Sequence, residues 1–177
     1  TASGSYALGQ TYDVLGPSSV HHPAGSFVQA HQEGNDVLHT DVLDALSDSQ
    51  HVLELYAGSG NFTFALLAAG KSVQTVEMDD AAVERLTSEA HHRGLGTRLR
   101  ATCGAAESVS ATRCDALLLD PPRKGMSNLS AVVQRIQPKR VVYVSCNPDT
   151  LARDLRNLVD HAWVVKSIRA YELFPHT

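Results

Sequence analysis

Short apolar runs alternate along this chain with longer amphipathic stretches, and from residue 51 onward the alternation is regular. His51–Leu55, Ser72–Glu77, Thr97–Thr102, Asp115–Leu119 and Arg140–Ser145 are brief and mostly apolar, which predicts strands. Between them lie helical patterns. Phe62–Ala69 is closed by Gly70 and Ala81–Arg93 by Gly94; Ser127–Ile136 stops before Pro138, and Thr150–Val159 follows the fifth strand. An earlier helix begins at Glu33, with Val37, Val42, Leu43 and Leu46 on one side. Trp163–Leu173 predicts a long last strand. Strands alternating with helices mean a parallel sheet covered on both faces. The runs DALLL and VVYVS are apolar on both faces, as buried parallel strands should be. The expected fold is a doubly wound α/β domain over residues 33–177. Residues 1–32 form a Gly-, Ser-, His- and Pro-rich appendage, with strand-like pieces at Thr11–Leu15 and Ser26–Ala30.

A length of 177 residues with 43% apolar content suits one domain and excludes a disordered chain. No run approaches the roughly 18 apolar residues of a membrane span, and no signal-peptide pattern opens the chain. The three cysteines lack C-x-x-C spacing, which argues against a disulfide framework or a cysteine zinc site. The pairs His21-His22 and His91-His92 lack the i, i+4 spacing of helix metal ligands. A cytoplasmic monomer without metal is expected. Thr1 is not an initiator Met, so a fragment or a processed chain is expected. Charge is uneven: residues 1–120 sum to −9 and residues 121–177 to +5. Such asymmetry can mark one face for a polyanion.

In doubly wound sheets ligands sit beyond the carboxyl ends of the strands. The first of those ends is Tyr56-Ala57-Gly58-Ser59-Gly60-Asn61. Two glycines one residue apart allow a sharp turn and close backbone approach. A dinucleotide fingerprint needs a third glycine where Thr63 stands. The loop therefore suits a nucleoside without a pyrophosphate, such as S-adenosylmethionine, or a plain tight turn. Glu77 ends the next strand, 17 residues past Gly60, where an acid can accept ribose hydroxyls. Asp79 or Asp80 caps the following helix. Asp120 opens Asp120-Pro121-Pro122-Arg123-Lys124-Gly125, a stiff loop that presents one carboxylate. Cys146 follows the fifth strand just before a helix. Helix position and the downstream Arg153 and Arg156 favour a thiolate there, so Cys146 is either a nucleophile or an inert cysteine.

Taken together, LELYAGSGNFTFALLA, VEMDDAAVERL, LDPPRKGM, VVYVSCNPDTLARDL and FPHT resemble the S-adenosylmethionine-dependent RNA uracil-5 methyltransferases, which make 5-methyluridine in transfer or ribosomal RNA. FVQAH is similar to their F-x-Q-x-N segment, so the resemblance runs from about Phe27 to the end. It implies a Rossmann-like class I methyltransferase fold. It assigns cofactor contacts to Gln29, Tyr56, Gly58, Gly60, Asn61, Glu77 and Asp120, and the nucleophile to Cys146. The basic end of the chain, including Arg123, Lys124 and Arg153, would hold RNA.

Two departures accompany the resemblance. The family's general base is a glutamate shortly after F-P-x-T, and a last strand follows it; both are expected beyond Thr177, so that strand is expected to be missing. Glu172 precedes FPHT and is not that base. The family's β-barrel RNA-binding domain, often with an iron–sulfur cluster, does not fit before Phe27, and His31 stands where Asn is usual. Three alternatives stay open. They are a cofactor- or RNA-binding remnant without turnover, an amino-group methyltransferase using Asp120-Pro121-Pro122, and a nicotinamide oxidoreductase. Arg123, where an aromatic residue would be expected, weighs against the second, and Thr63 against the third.

Overall fold

The computed structural model describes residues 6–7, 10–15, 20–23, 32–110 and 113–171. At the front, β1 (Tyr6–Ala7), β2 (Gln10–Leu15) and β3 (Val20–Pro23) pair antiparallel. The predicted Thr11–Leu15 falls within β2, while Ser26–Ala30 lies outside the described residues.

After α1 (Gln32–Ala45) the chain builds a second sheet. Its strands are β4 (His51–Leu55), β5 (Ser72–Glu77), β6 (Leu99–Cys103), β7 (Ala116–Leu119) and β8 (Arg140–Tyr143). Four helices alternate with them: α2 (Asn61–Ala68), α3 (Asp80–His92), α4 (Leu129–Ile136) and α5 (Pro148–Val159). The order is β6-β5-β4-β7-β8, with every pair parallel. The chain works outward from β4 to β6, then returns across the sheet to β7. That reversal opens a crevice above the carboxyl ends of β4 and β7, the place where such sheets take ligands.

Side chains alternate across the sheet with a period of two. Val52 and Leu118 pack with Val42, Leu46, Phe62 and Leu86 of α1–α3. Leu53, Leu117 and Leu119 face the other way, onto Leu129 and Val133 of α4 and Leu158 of α5. Both layers are closed, so the strand-end loops rest on a rigid base.

Four expectations need correction. Val37 is 49% exposed rather than on the buried side of α1, where Leu38, Val42 and Leu46 carry the contact. VVYVS is not buried on both faces, because among the described strands β8 lies at an edge; of these strands β7 alone is fully buried. Residues Gly96–Arg98 form a 3-10 turn, so β6 begins at Leu99 and not Thr97. Trp163–Leu173 is not a strand over its described part, residues 163–171. That stretch pairs with no strand; instead Arg169 and Tyr171 bond Asp41 of α1. A β-pattern becomes a strand only where a neighbour supplies the ladder. Val164 and Ile168 are left 69% exposed. No described helix is long and apolar enough to cross a membrane.

Candidate active site

The loop after β4 needs left-handed backbone. Tyr56, Gly58 and Gly60 have φ of 62°, 53° and 95°. At Gly60, which precedes α2, an added Cβ would lie 2.5 Å from Cδ2 of Leu86 and 2.7 Å from Cε2 of Phe64, so only glycine fits. At Gly58 a Cβ would meet nothing within 4 Å. The backbone is thus exposed on that side to an approaching ligand.

Glu77 ends β5 beside this loop. Its Oε2 accepts from the Gly58 N–H at 2.8 Å, and its Oε1 accepts from the N–H groups of Met78 (2.7 Å) and Asp79 (2.9 Å). A carboxylate offers about four acceptor positions, so its orientation is set by backbone and room remains for one further hydroxyl donor. Asp79, not Asp80, caps α3 by accepting from the Ala81 N–H.

Asp120 emerges from β7 directly beside β4. Burial raises its carboxyl to a pKa of about 6, and no described residue gives it a hydrogen bond. A desolvated carboxylate with no partner among the described residues is suited to face a ligand, since leaving it unpaired costs free energy.

The rest of that loop is fastened to the segment carrying Cys146. The Arg123 carbonyl accepts from Asn147 Nδ2 at 3.2 Å and from Thr150 Oγ1 at 3.0 Å. The Lys124 carbonyl accepts from Arg153 Nη2 at 2.8 Å, and Asp154 Oδ2 accepts from the Met126 N–H at 2.7 Å. Asn147 caps α5 through the Asp149 N–H. Cys146 sits immediately before that cap and is exposed. The strand ends of β7 and β8 therefore present Asp120 and Cys146 as one unit.

Residues 67–177 match the family model for tRNA (uracil-5-)-methyltransferase. A 23S rRNA (uracil(1939)-C(5))-methyltransferase, RlmD, of Alkalilimnicola ehrlichii is 40% identical over 163 residues, 86% of this chain and 36% of that protein. This chain belongs to the tRNA (uracil-5-)-methyltransferase family. An uncharacterised RNA methyltransferase of Listeria monocytogenes is 35% identical over 87% of this chain and 36% of its own length. The Pyrococcus abyssi tRNA (uracil-54, C5)-methyltransferase, solved with S-adenosyl-L-homocysteine, superposes with a TM-score of 0.71 at 25% identity, over 85% of this chain and 38% of that one. The chain thus spans little more than a third of the length of these relatives. The cofactor of this family is S-adenosylmethionine. Asp120, which has no hydrogen-bond partner among the described residues, the glycine loop and the strand-end Glu77 fit such a cofactor.

Other residues expected at the site are differently engaged. Asn61 exchanges two hydrogen bonds with Asn35 and meets His39 at 3.0 Å, so its amide faces α1. Tyr56 donates to Glu107 at 3.0 Å, which ties the glycine loop to the loop after β6. Burial, and then this bond, push the Tyr56 hydroxyl upward. Arg153 is held by Asp154 and the Lys124 carbonyl. The Arg123 and Lys124 side chains are exposed beside Cys146. Gln29 lies outside the described residues. Among the described residues, no group of His, Cys, Asp and Glu could hold a metal ion.

Two functional positions were not anticipated from sequence. Glu54, 2% exposed within β4, accepts from Thr63 Oγ1 at 2.6 Å. Thr63 occupies the place of the absent third glycine, and its role is to satisfy this acid. The charged residue inside the apolar run LELY was the available signal. Burial raises the Glu54 pKa to about 8, partly offset by Thr63 and reinforced by Asp120 and Glu77. Folded Glu54 therefore keeps a proton that the unfolded chain loses near pH 4.5. Its contribution to stability is complete below that pH and is lost as pH rises through about 8. Glu54→Gln removes this titration. Relative to the variant, the native chain is expected to lose about 3 kcal/mol between pH 5 and pH 8 in urea melts. Parallel pH profiles for the two would refute a protonated Glu54.

Proposed function

We propose that this chain is the catalytic part of an RNA methyltransferase that places a methyl group on C5 of a uridine in transfer or ribosomal RNA. The observation that carries this reading is the fastening of the Asp120 loop to the Cys146 segment across the ends of two neighbouring strands. Family membership supports it. In this reading residues 1–32 belong to a preceding segment, residues 33–177 are the catalytic domain, and the protein works in the cytoplasm as a monomer.

Glu77 would take a ribose hydroxyl. Gly58 and Gly60 would bring backbone close to the nucleoside, with Tyr56 beside them. Asp120 would face the junction of cofactor and base. Bound S-adenosylmethionine supplies a sulfonium-activated methyl group, which C5 of uracil accepts. Free uracil C5 is a poor nucleophile, and Cys146 remedies this. Its thiolate adds to C6, and the C5=C6 electron pair moves through C5 toward O4, leaving C5 carbanion-like. After methylation a general base, the glutamate that the resemblance implies, takes the C5 proton; the freed electron pair re-forms the C5=C6 double bond, and the thiolate is expelled. The target base must leave its stack to reach Cys146. Arg123, Lys124 and Arg153 flank that point and would hold the RNA backbone there.

Fluorine at C5 blocks the proton loss and traps the thiolate on the RNA. Mass spectrometry of the chain with S-adenosylmethionine and a 5-fluorouridine stem-loop should find a methylated covalent adduct mapping to Cys146. Cofactor binding without any adduct would instead favour a remnant that binds and does not turn over.

A further inference from the structure

The amino ends of β4, β5 and β6 border a cavity of about 220 Å³, on the side of the sheet away from Cys146. Arg98, Arg100, Arg113 and His51 line it. Residues 1–120 are strongly acidic and hold only six Lys and Arg. Three of these are occupied elsewhere. Lys71 is buried and donates to the carbonyls of Leu46 and Ser49 at 2.7 Å each; Arg85 faces Asp79, and Arg93 pairs with Glu89. The remaining three are Arg98, Arg100 and Arg113, and all three line this one cavity.

None of their guanidinium groups has an ion pair or hydrogen bond among the described residues. The nearby carboxylate, Asp115, does not neutralise them. It accepts from the backbone N–H groups of Gln50 (3.0 Å) and His51 (2.9 Å) and meets His51 Nδ1 at 3.3 Å. These contacts, the His51 N–H first, hold the Asp115 carboxyl below its usual range. Three arginines without a partner among the described residues, lining one concavity, offer positive charge that an anion there would neutralise. Guanidinium forks match phosphate oxygens bidentately.

We propose that this cavity takes a backbone phosphate of the RNA substrate, at a second contact remote from the target base. The proposal rests on the reading of the chain as an RNA methyltransferase. β6 and β8 are opposite edges of the sheet. From strand rise and spacing, the cavity and Cys146 are about 25 Å apart. A phosphate held there belongs to a flanking stem and fixes how the RNA crosses the domain. It carries no base information itself.

The test compares the unaltered chain with the triple variant Arg98→Gln, Arg100→Gln, Arg113→Gln and with the corresponding triple Lys variant. Fluorescence anisotropy with a uridine stem-loop is read from 50 to 300 mM KCl, and inorganic phosphate is titrated separately. The glutamine variant should bind RNA at least about 10-fold more weakly at 50 mM. The slope of log Kd against log salt should fall by about 1. The Lys variant should keep most of the salt slope, and S-adenosylmethionine affinity and the melting midpoint should be unchanged in both. Equal RNA affinity and slope in all three proteins would overturn the proposal. So would loss of phosphate binding with RNA binding intact, which would make this a small-anion site. If the glutamine triple melts early, the single Arg100→Gln variant, altered at an exposed side chain, is judged by its salt slope. A Cys146 adduct with undiminished RNA binding by the triple variant would sink the cavity alone. Failure of the unaltered chain to bind RNA would sink both readings.

Discussion

Cys146→Ser is expected to lower methyl transfer to uridine RNA by at least about 10³-fold while cofactor affinity stays within twofold. The thiol is exposed, so the change leaves no cavity and breaks no described hydrogen bond. What is lost is chemical. A cysteine is a few per cent thiolate at neutral pH, whereas a serine hydroxyl has no comparable ionised fraction and no neighbouring described base to create one. Since the addition to C6 must precede transfer, the loss should appear in kcat and in kcat/KM alike. The covalent 5-fluorouridine adduct should vanish. Cys103→Ser serves as the contrast. Cys103 lies at the end of β6, on the opposite sheet edge, with Sγ 3.6 Å from the Met78 carbonyl. Its activity should stay within a few-fold of the parent. A Cys146→Ser protein retaining a tenth of the activity would exclude the covalent route.

The periodic parts of this chain were legible because local pattern and tertiary role agree. β4, β5 and β7 fall where apolar runs place them, and α3 runs from its Asp79 cap to its stop before Gly94. Where role depends on a distant neighbour, the pattern misleads. VVYV reads as a central strand, yet among the described residues β8 has a partner on one side only. Trp163–Leu173 has the composition of a strand and no ladder to join, so its described part follows α1 instead. Strand-end placement brought forward Gly58, Gly60, Glu77, Asp120 and Cys146 as candidates, and each follows or ends a strand of the parallel sheet. Sequence could not show how those loops are held. Glu54–Thr63 and Tyr56–Glu107 join residues through side-chain geometry, and Asn61 bonds Asn35 of α1. The Asp of LARDL is the clearest example. It reads as one charge on an amphipathic helix, yet it is 1% exposed.

That residue carries the second large effect. Asp154 Oδ2 accepts from the Met126 N–H at 2.7 Å and from the Tyr143 hydroxyl at 2.8 Å, while Oδ1 accepts from Arg153 Nε at 2.8 Å. One carboxylate on α5 thereby links the Asp120 loop, the strand leading to Cys146, and the arginine that grips the Lys124 carbonyl. Gly125 packs so tightly on it that a Cβ would lie 2.5 Å from Oδ2. Asp154→Asn keeps the shape and removes the charge. Its amide must turn an NH₂ toward a donor on one side or the other, leaving a buried clash and an uncompensated Arg153. Loss of about 3 kcal/mol is expected in urea melts, near the range for breaking buried ion pairs. The adduct rate at Cys146 should fall at least about 10-fold at a temperature where the variant is still folded, because Asp120 and Cys146 are no longer held as a unit. Leu46→Ala separates this from general destabilisation. Leu46 is fully buried on the opposite face of the sheet, and its truncation should cost a similar 2–5 kcal/mol. Its adduct rate, measured where it too is folded, should match the parent. Equal losses of adduct rate in the two variants would reduce Asp154 to an ordinary buried residue. A selective loss in Asp154→Asn would show that the buried carboxylate positions the site.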